Sequence, residues 1–166
     1  FRSKFYVNSK DIKVKNKEYE IKYLGYKICI KNNNIVFKLS DDRITKYKNR
    51  ISQAFSEYDW KKRFNEKQAR KELINRLQFL AGNTKLFNNK SNILIGIYFS
   101  NSLLTSEIYL KVLDDFIMSK IRKYHLQGKL KERITKISFQ NGFKKRTYIN
   151  FNIQDLKKIN SIWDDK

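Results

Sequence analysis

Glu20-Ile21-Lys22-Tyr23-Leu24-Gly25-Tyr26-Lys27-Ile28-Cys29-Ile30 runs into Asn32-Asn33-Asn34, returns as Ile35-Val36-Phe37-Lys38-Leu39, and continues from Ser40 into a basic segment reaching Tyr58. The apolar spacing predicts a β-hairpin turning at the three asparagines and feeding a positively charged helix. In the first arm Ile21, Tyr23, Lys27 and Cys29 alternate with Lys22, Leu24, Tyr26, Ile28 and Ile30. Both sets are substantially apolar, so a strand covered on both faces is expected. Gly25 then stands in mid-strand, where a missing side chain marks a bulge, a close backbone approach or a simple kink.

Working downstream, Ser40 suits an N-cap, and Asp41 and Asp42 suit the first turn of a helix, where the dipole favours negative charge. Ile44, Tyr47, Ile51, Phe55 and Tyr58 recur at helical spacing as one apolar stripe, with Arg43, Lys46, Lys48 and Arg50 outside it. A second helix is expected over 67–81, its stripe Ala69, Leu73, Leu77 and Leu80, with Arg70, Lys71 and Arg76 outside and Gly82-Asn83 as the stop. Residues 84–92 read as a polar, basic loop and 93–99 as a buried segment. A helix over 106–124 is expected to turn Ile108, Val112, Phe116, Ile117, Ile121 and Tyr124 inward. Gly128 closes that block. Ile134, Ile137 and Phe139 precede an Asn141-Gly142 turn, residues 144–151 alternate as a strand, and Asn152 with Asp155 opens a last helix, Ile153 to Trp163.

Working upstream, Phe5, Val7, Ile12 and Val14 alternate loosely and predict a strand or two with a turn near Asn8-Ser9-Lys10. The sharpest internal boundary is at Leu39, where β signals give way to helices, dividing the chain into 1–39 and 40–166. The chain begins with Phe1 and reads as a piece of a longer protein.

The 166 residues carry 37 Lys and Arg against 16 Asp and Glu, a net charge of +21. With 40% apolar residues the chain can bury a core, and a surplus of cations on a folded chain points to a polyanionic partner, above all nucleic acid. AT-rich codon usage accounts for the abundance of Lys, Ile, Asn, Phe and Tyr better than it accounts for the imbalance. The charge is concentrated: residues 43–90 hold 13 basic and 4 acidic side chains, residues 91–127 hold 4 and 3. Cys29 is the only cysteine, so no internal disulfide can form and a reducing, cytoplasmic setting fits. The longest apolar run, Ile93 to Phe99, is too short to span a bilayer, and no signal peptide is visible.

Catalytic chemistry is sparse. Asp41-Asp42 reads as helix capping and Asp114-Asp115 as a solvated helix face or a local ion pair. Asp164-Asp165 closes the chain. None sits at a hairpin tip as a two-metal centre requires. His125 reads as a surface residue near a helix end, and Cys29 as core. No phosphate-cradling glycine loop, nucleophile–base pair or metal-ligand spacing is present. What remains is binding: Arg43, Lys46, Lys48 and Arg50, with Arg70 and Lys71, are placed for phosphate contacts. Tyr58, Trp60 and Phe64, beside Lys61, Lys62 and Arg63, are either base-stacking platforms or core.

Tyr23-Leu24-Gly25-Tyr26 resembles the primer-grip hairpin of reverse transcriptases, an aromatic-Leu-Gly-aromatic motif. Phe5-Tyr6-Val7-Asn8-Ser9-Lys10 looks like the palm segment preceding the grip, with Asn8 and Lys10 closer together than in that pattern. Three further segments are similar to prokaryotic defence-associated reverse transcriptases, the antiphage and abortive-infection relatives of retron enzymes: Arg76-Leu77-Gln78-Phe79-Leu80-Ala81-Gly82-Asn83, Gly96-Ile97-Tyr98-Phe99-Ser100-Asn101 and Phe139 to Trp163. The resemblance implies an α+β fold in which 1–39 is the end of a polymerase palm and 40–166 a mainly helical thumb. It implies an RNA-directed DNA polymerase whose Mg²⁺-binding aspartates precede Phe1, leaving this chain inactive alone. Tyr23, Leu24, Gly25 and Tyr26 then grip the primer, Arg43, Lys46, Lys48, Arg50, Arg70 and Lys71 contact the duplex, and the upstream palm and fingers, and an oligomeric assembly, are further partners. The alternative reading is a non-catalytic RNA- or DNA-binding module or an assembly domain.

Overall fold

The computed structural model describes residues 12–15, 18–31, 34–87 and 92–163. The stretch from Phe1 to Asp11, which carries the palm-like segment and most of the first expected strands, lies outside the described residues. Among those described, the fold is α+β: a four-stranded antiparallel sheet, a two-stranded sheet and five α-helices.

The first sheet corrects the expected hairpin. It is a meander of β1 (Ile12–Lys15), β2 (Glu18–Tyr23), β3 (Tyr26–Lys31) and β4 (Asn34–Leu39) in spatial order β1-β2-β3-β4. The strand expected to run unbroken from Glu20 to Ile30 is folded back on itself at Leu24-Gly25, with Tyr23 opposite Tyr26. Leu24 (φ 47°) and Gly25 (φ 79°) both have positive φ, the signature of a type I′ two-residue turn, whose twist matches that of the strands it joins. The second pairing, Lys31 opposite Asn34, sets β3 against β4 where the asparagine run predicted it.

Placing the turn there repairs the pattern that looked two-sided. The register puts Tyr19, Ile21 and Tyr23 across from Ile30, Ile28 and Tyr26, which in turn face Ile35, Phe37 and Leu39. One face is therefore apolar. The other carries Glu20, Lys22, Lys27, Cys29, Val36 and Lys38. Only one end of the apolar face is covered: Tyr26 and Leu39 are buried in the common core, whereas Tyr19 and Ile35 at the far end are exposed.

Ser40 caps α1 (Asp41–Ala81), accepting from the Arg43 backbone N–H at 3.3 Å. The expected two helices are two arms of α1 separated at Asn65, whose φ of −147° and ψ of 88° are not helical. Asn65 Oδ1 accepts from the Gln68 N–H at 3.0 Å and so caps the second arm from inside the kink. The predicted stripes hold in both arms: Ile44, Ile51, Phe55 and Tyr58, then Ala69, Leu73, Leu77 and Leu80, are buried. Arg76, expected outside, is 1% exposed.

Beyond α1 the structure departs further from the sequence pattern. The expected loop over 84–92 is mostly a hairpin of β5 (Asn83–Phe87) and β6 (Asn92–Gly96). Of the apolar run that follows, Ile93 and Leu94 are exposed and Ile97 is fully buried. α2 (Ile108–Lys123) buries Leu110, Leu113, Ile117 and Ile121, so its inward stripe is rotated from the expected one and leaves Ile108 and Val112 in solvent. α3 (Gly128–Thr135) leads to α4 (Phe139–Lys144), which absorbs the expected Asn141-Gly142 turn. Gly142 is a packing residue: a Cβ there would lie 1.8 Å from the Ala81 carbonyl oxygen. Of the expected strand over 144–151, Lys144 closes α4 and the rest is irregular chain with one isolated bridge, Asn83 to Tyr148. α5 (Ile153–Asn160) is opened as predicted by Asn152, whose Oδ1 accepts from the Asp155 N–H at 2.7 Å. A single core runs from Tyr26 and Leu39 through α1 and α2 to Trp163.

Candidate nucleic-acid interface

Why Tyr-Leu-Gly-Tyr folds as it does follows from three contacts. The Gly25 carbonyl accepts from the Ser40 N–H at 2.9 Å, pinning the turn to the start of α1. The Arg43 guanidinium lies over the Tyr26 ring, 5.5 Å from its centroid. Room for it exists because residue 25 has no side chain: a Cβ would meet Arg43 Cζ and Nε at 3.2 Å. Glycine is favoured at 25 by its positive φ, and a side chain there would also require the Arg43 guanidinium to give way slightly. Leucine at position 24 has no such justification. It occupies a left-handed conformation that costs a non-glycine residue about 1 kcal/mol, and its side chain is 73% exposed.

The turn and the first arm of α1 enclose a cleft of 410 Å³ lined by Tyr23, Leu24, Gly25, Tyr26, Arg43 and Lys46, among others. Two of the others are Lys22, not among the binding residues expected from the sequence, and Asp42, expected there only as a first-turn residue of the helix. Arg43 and Lys46 also line a second depression with Tyr47, Arg50 and Ser100. A third continues along α1 past Thr45, Lys46, Asn49, Arg50 and Gln53 to Trp163. Arg50 is held there by Trp163, whose ring lies 5.4 Å from its Cζ and whose indole N–H donates to the Arg50 carbonyl at 3.3 Å.

The sheet adds a row of cations. Lys22 pairs with Lys27 and Lys27 with Lys38, so three lysines stand abreast across β2, β3 and β4. Like charges directly opposite in a sheet are destabilising. Lys27 is relieved by Glu20 at 3.1 Å and by Asp41 at 3.7 Å, and the hydrogen bond to Glu20 holds its ammonium above the usual lysine range despite partial burial. Lys22 and Lys38 were legible only once the turn at Leu24-Gly25 was known, since that turn fixes which residues share a face.

Of the ten residues singled out from the sequence, the fold brings seven together: Tyr23, Leu24, Gly25, Tyr26, Arg43, Lys46 and Arg50. Within this group Tyr26 is a buried support beneath Arg43, so it is not itself a contact surface. The other three lie elsewhere. The Lys48 ammonium sits 5.5 Å over the Phe116 ring of α2, where Lys120 approaches the same ring at 4.9 Å. Arg70 pairs with Glu66 at 2.6 Å and Lys71 with Asp155 at 3.0 Å, beyond the kink.

The Mg²⁺ implied by the resemblance finds no fit among the described residues, where no group of three or more His, Cys, Asp or Glu side chains converges. Asp41 faces Lys27. Asp114, expected on a solvated face, is half-buried and caps α4, accepting from Ser138 Oγ at 2.7 Å and from the Phe139 and Gln140 N–H groups at 2.6 and 3.3 Å. Burial pushes its carboxyl above the ordinary range in spite of those bonds. Among the described residues no helix is long and apolar enough to cross a membrane.

No family model, curated protein or solved structure matches this chain.

Proposed function

We propose that the chain is the primer- and template-binding part of an RNA-directed DNA polymerase in antiviral defence, with the turn at Leu24-Gly25 as its grip and the first arm of α1 as the helix that follows the duplex backbone. The observation that carries this reading is the coupling of the two. The aromatic-Leu-Gly-aromatic turn is bonded through Gly25 to the helix start at Ser40, and it presents an exposed Leu24 beside Lys22, Arg43 and Lys46. A strained, exposed apolar tip among cations suits contact with the sugar edge of a nucleic acid strand whose phosphates the cations hold. Shape and charge dominate such a contact and base identity contributes little, as a polymerase requires. The Mg²⁺ centre and the chemical step belong to a palm upstream of Phe1, where an aromatic-x-Asp-Asp segment is expected within roughly 60 residues, the scale of a small subdomain.

The second reading, a self-contained non-catalytic nucleic-acid-binding module, is favoured by one observation: the sheet has four strands and shares one core with the helices. Both readings predict binding of a duplex by this chain. Fluorescence anisotropy with an RNA–DNA hybrid should show affinity falling steeply with salt. The double variant K46E/R50E should lose more than about tenfold and flatten the salt slope by about two. Absence of salt-dependent binding would sink both readings. A parent polypeptide without the aspartate segment would leave only the module.

A further inference from the structure

Trp60 and Phe64 stand four residues apart on the first arm of α1, with ring centroids 5.1 Å apart and planes inclined by 55°. They are 56% and 74% exposed, while Tyr58, read with them in the sequence, is buried. The core needs neither ring; Ile51, Phe55 and Tyr58 supply the buried face of this part of the helix.

The surroundings indicate what such rings would meet. Between Asp59 and Lys71 the chain holds six basic and two acidic residues. Four of these cations are engaged: Lys61 with Glu57 and Glu72, Lys62 with Asp59, Arg70 with Glu66, and Lys71 with Asp155. Arg63 and Lys67 are exposed, and among the described residues neither has an ion-pair partner. At the kink, Lys67, Arg70 and Lys71 meet Arg133 of α3 around a cleft of 460 Å³. Exposed ring faces beside uncompensated cations match a polymer that offers an apolar base face and an anionic phosphate at every repeat. A duplex withholds its base faces by stacking them internally, so the match is to an unpaired strand. A protein partner would more commonly meet an aromatic patch whose centre is depleted of charge.

The platform also lies in line with the groove. At 100° per residue, Lys46, Asn49, Trp60 and Phe64 all fall within about 40° of Gln53, and Trp60 is on the order of 20 Å along the axis from Lys46. We infer that Trp60 and Phe64, with Arg63 and Lys67, form a platform for single-stranded nucleic acid, so that a strand laid along α1 is held as duplex near Leu24 and as unpaired bases near the kink. The in-line geometry rests on the groove being a nucleic-acid surface; the platform itself does not.

Three labelled probes test this on the whole chain: a blunt RNA–DNA hybrid, the same hybrid with an unpaired extension of about ten nucleotides, and the single strand alone. W60A/F64A should weaken binding of the extended hybrid and the single strand by about tenfold or more, leave the blunt hybrid within about twofold, and leave the melting temperature unchanged because both rings are exposed. W60F/F64Y, which keeps two rings, should bind as the parent does. Extended-hybrid affinity unchanged in W60A/F64A would overturn the platform, as would an equal loss on the blunt hybrid. Loss of self-association with strand binding intact would also overturn it and make the patch a contact between copies. Ring-dependent single-strand binding without any duplex binding would leave the platform standing and remove the proposed function.

Discussion

The first arm of α1 carries seven basic residues and the second four, and one arginine in each is treated in the opposite way. In the first arm Arg43 lies on the Tyr26 ring, at the rim of an open cleft with Lys46. In the second arm Arg76 is buried, paired with Glu72 at 3.1 Å and donating to the Lys158 carbonyl at 2.9 Å. Glu72 also accepts from Lys61 at 3.0 Å and from Gln68 at 2.9 Å. One arginine faces a surface open to a partner; the other ties α1 to the C-terminal helix. The difference lies in the neighbours. Arg76 has a carboxylate one helical turn before it and a packed helix over it, whereas Arg43 has an aromatic ring and a glycine. Counting cations along a basic helix therefore overstates its binding surface.

The comparison is broken most severely at Glu72. Removing it as E72Q leaves the Arg76 charge buried without its counter-charge and should cost about 3–5 kcal/mol in a urea titration, while a chain that remains folded keeps the groove of the first arm. The same group sets an acid limit. Burial acts to raise the Glu72 pKa, but bonds from Gln68 and Lys61 and the charges of Arg76 and Lys61 hold it below its ordinary 4.5. A depressed carboxylate contributes stability that is complete above the unfolded value and lost as pH falls through the folded one. Stability should therefore decline below about pH 4.5, and E72Q should be less sensitive to acid in that window. An unchanged acid profile in E72Q would show that Glu72 does not set it.

Gly25→Ala comes next. It places a methyl at positive φ and against Arg43, and should cost about 1–2 kcal/mol while displacing Arg43 enough to weaken hybrid binding. Leu24→Asn separates stability from binding: asparagine is favoured at this position of a type I′ turn, so the melting temperature should rise, by about 1 kcal/mol in equivalent free energy, and hybrid affinity should fall. A variant that loses stability would show that Leu24 is a structural residue. Smallest is Arg70→Ala, which removes an exposed pair with Glu66 and should change stability by no more than about 0.5 kcal/mol, leaving blunt-hybrid affinity intact.

Legibility tracked how local the deciding interaction is. Ser40, Asn152 and the stripes of α1 were readable because a cap or a stripe is settled within a turn or two of chain. The Leu24-Gly25 turn is hidden in the sequence because leucine is a poor occupant of a left-handed position, and a strand running through it has a plausible alternation as well. The misread stripe of α2 has a different cause. Ile108 and Val112 are as apolar as Leu110 and Leu113, and only the packing of α2 against α1 and α4 chooses between them. Asn141-Gly142 has the composition of a turn, yet the close approach of Ala81 places its glycine inside a helix.

From the sequence alone it is settled that strand patterning gives way to helices near Leu39, that a capped, basic helix begins at Ser40 with a second helical stripe over 67–81, and that a glycine interrupts the strand pattern at position 25. These follow from periodicity, capping and the conformational freedom of glycine, all short-range. Tertiary structure alone decided that this stretch is a turn, that Lys22, Arg43 and Lys46 converge beside it, that Arg76 is withdrawn from solvent, and that Trp60 and Phe64 are left in it. Those outcomes depend on which surfaces meet across long sequence separations, and the burial of one charged or aromatic residue and the exposure of another are fixed by that meeting.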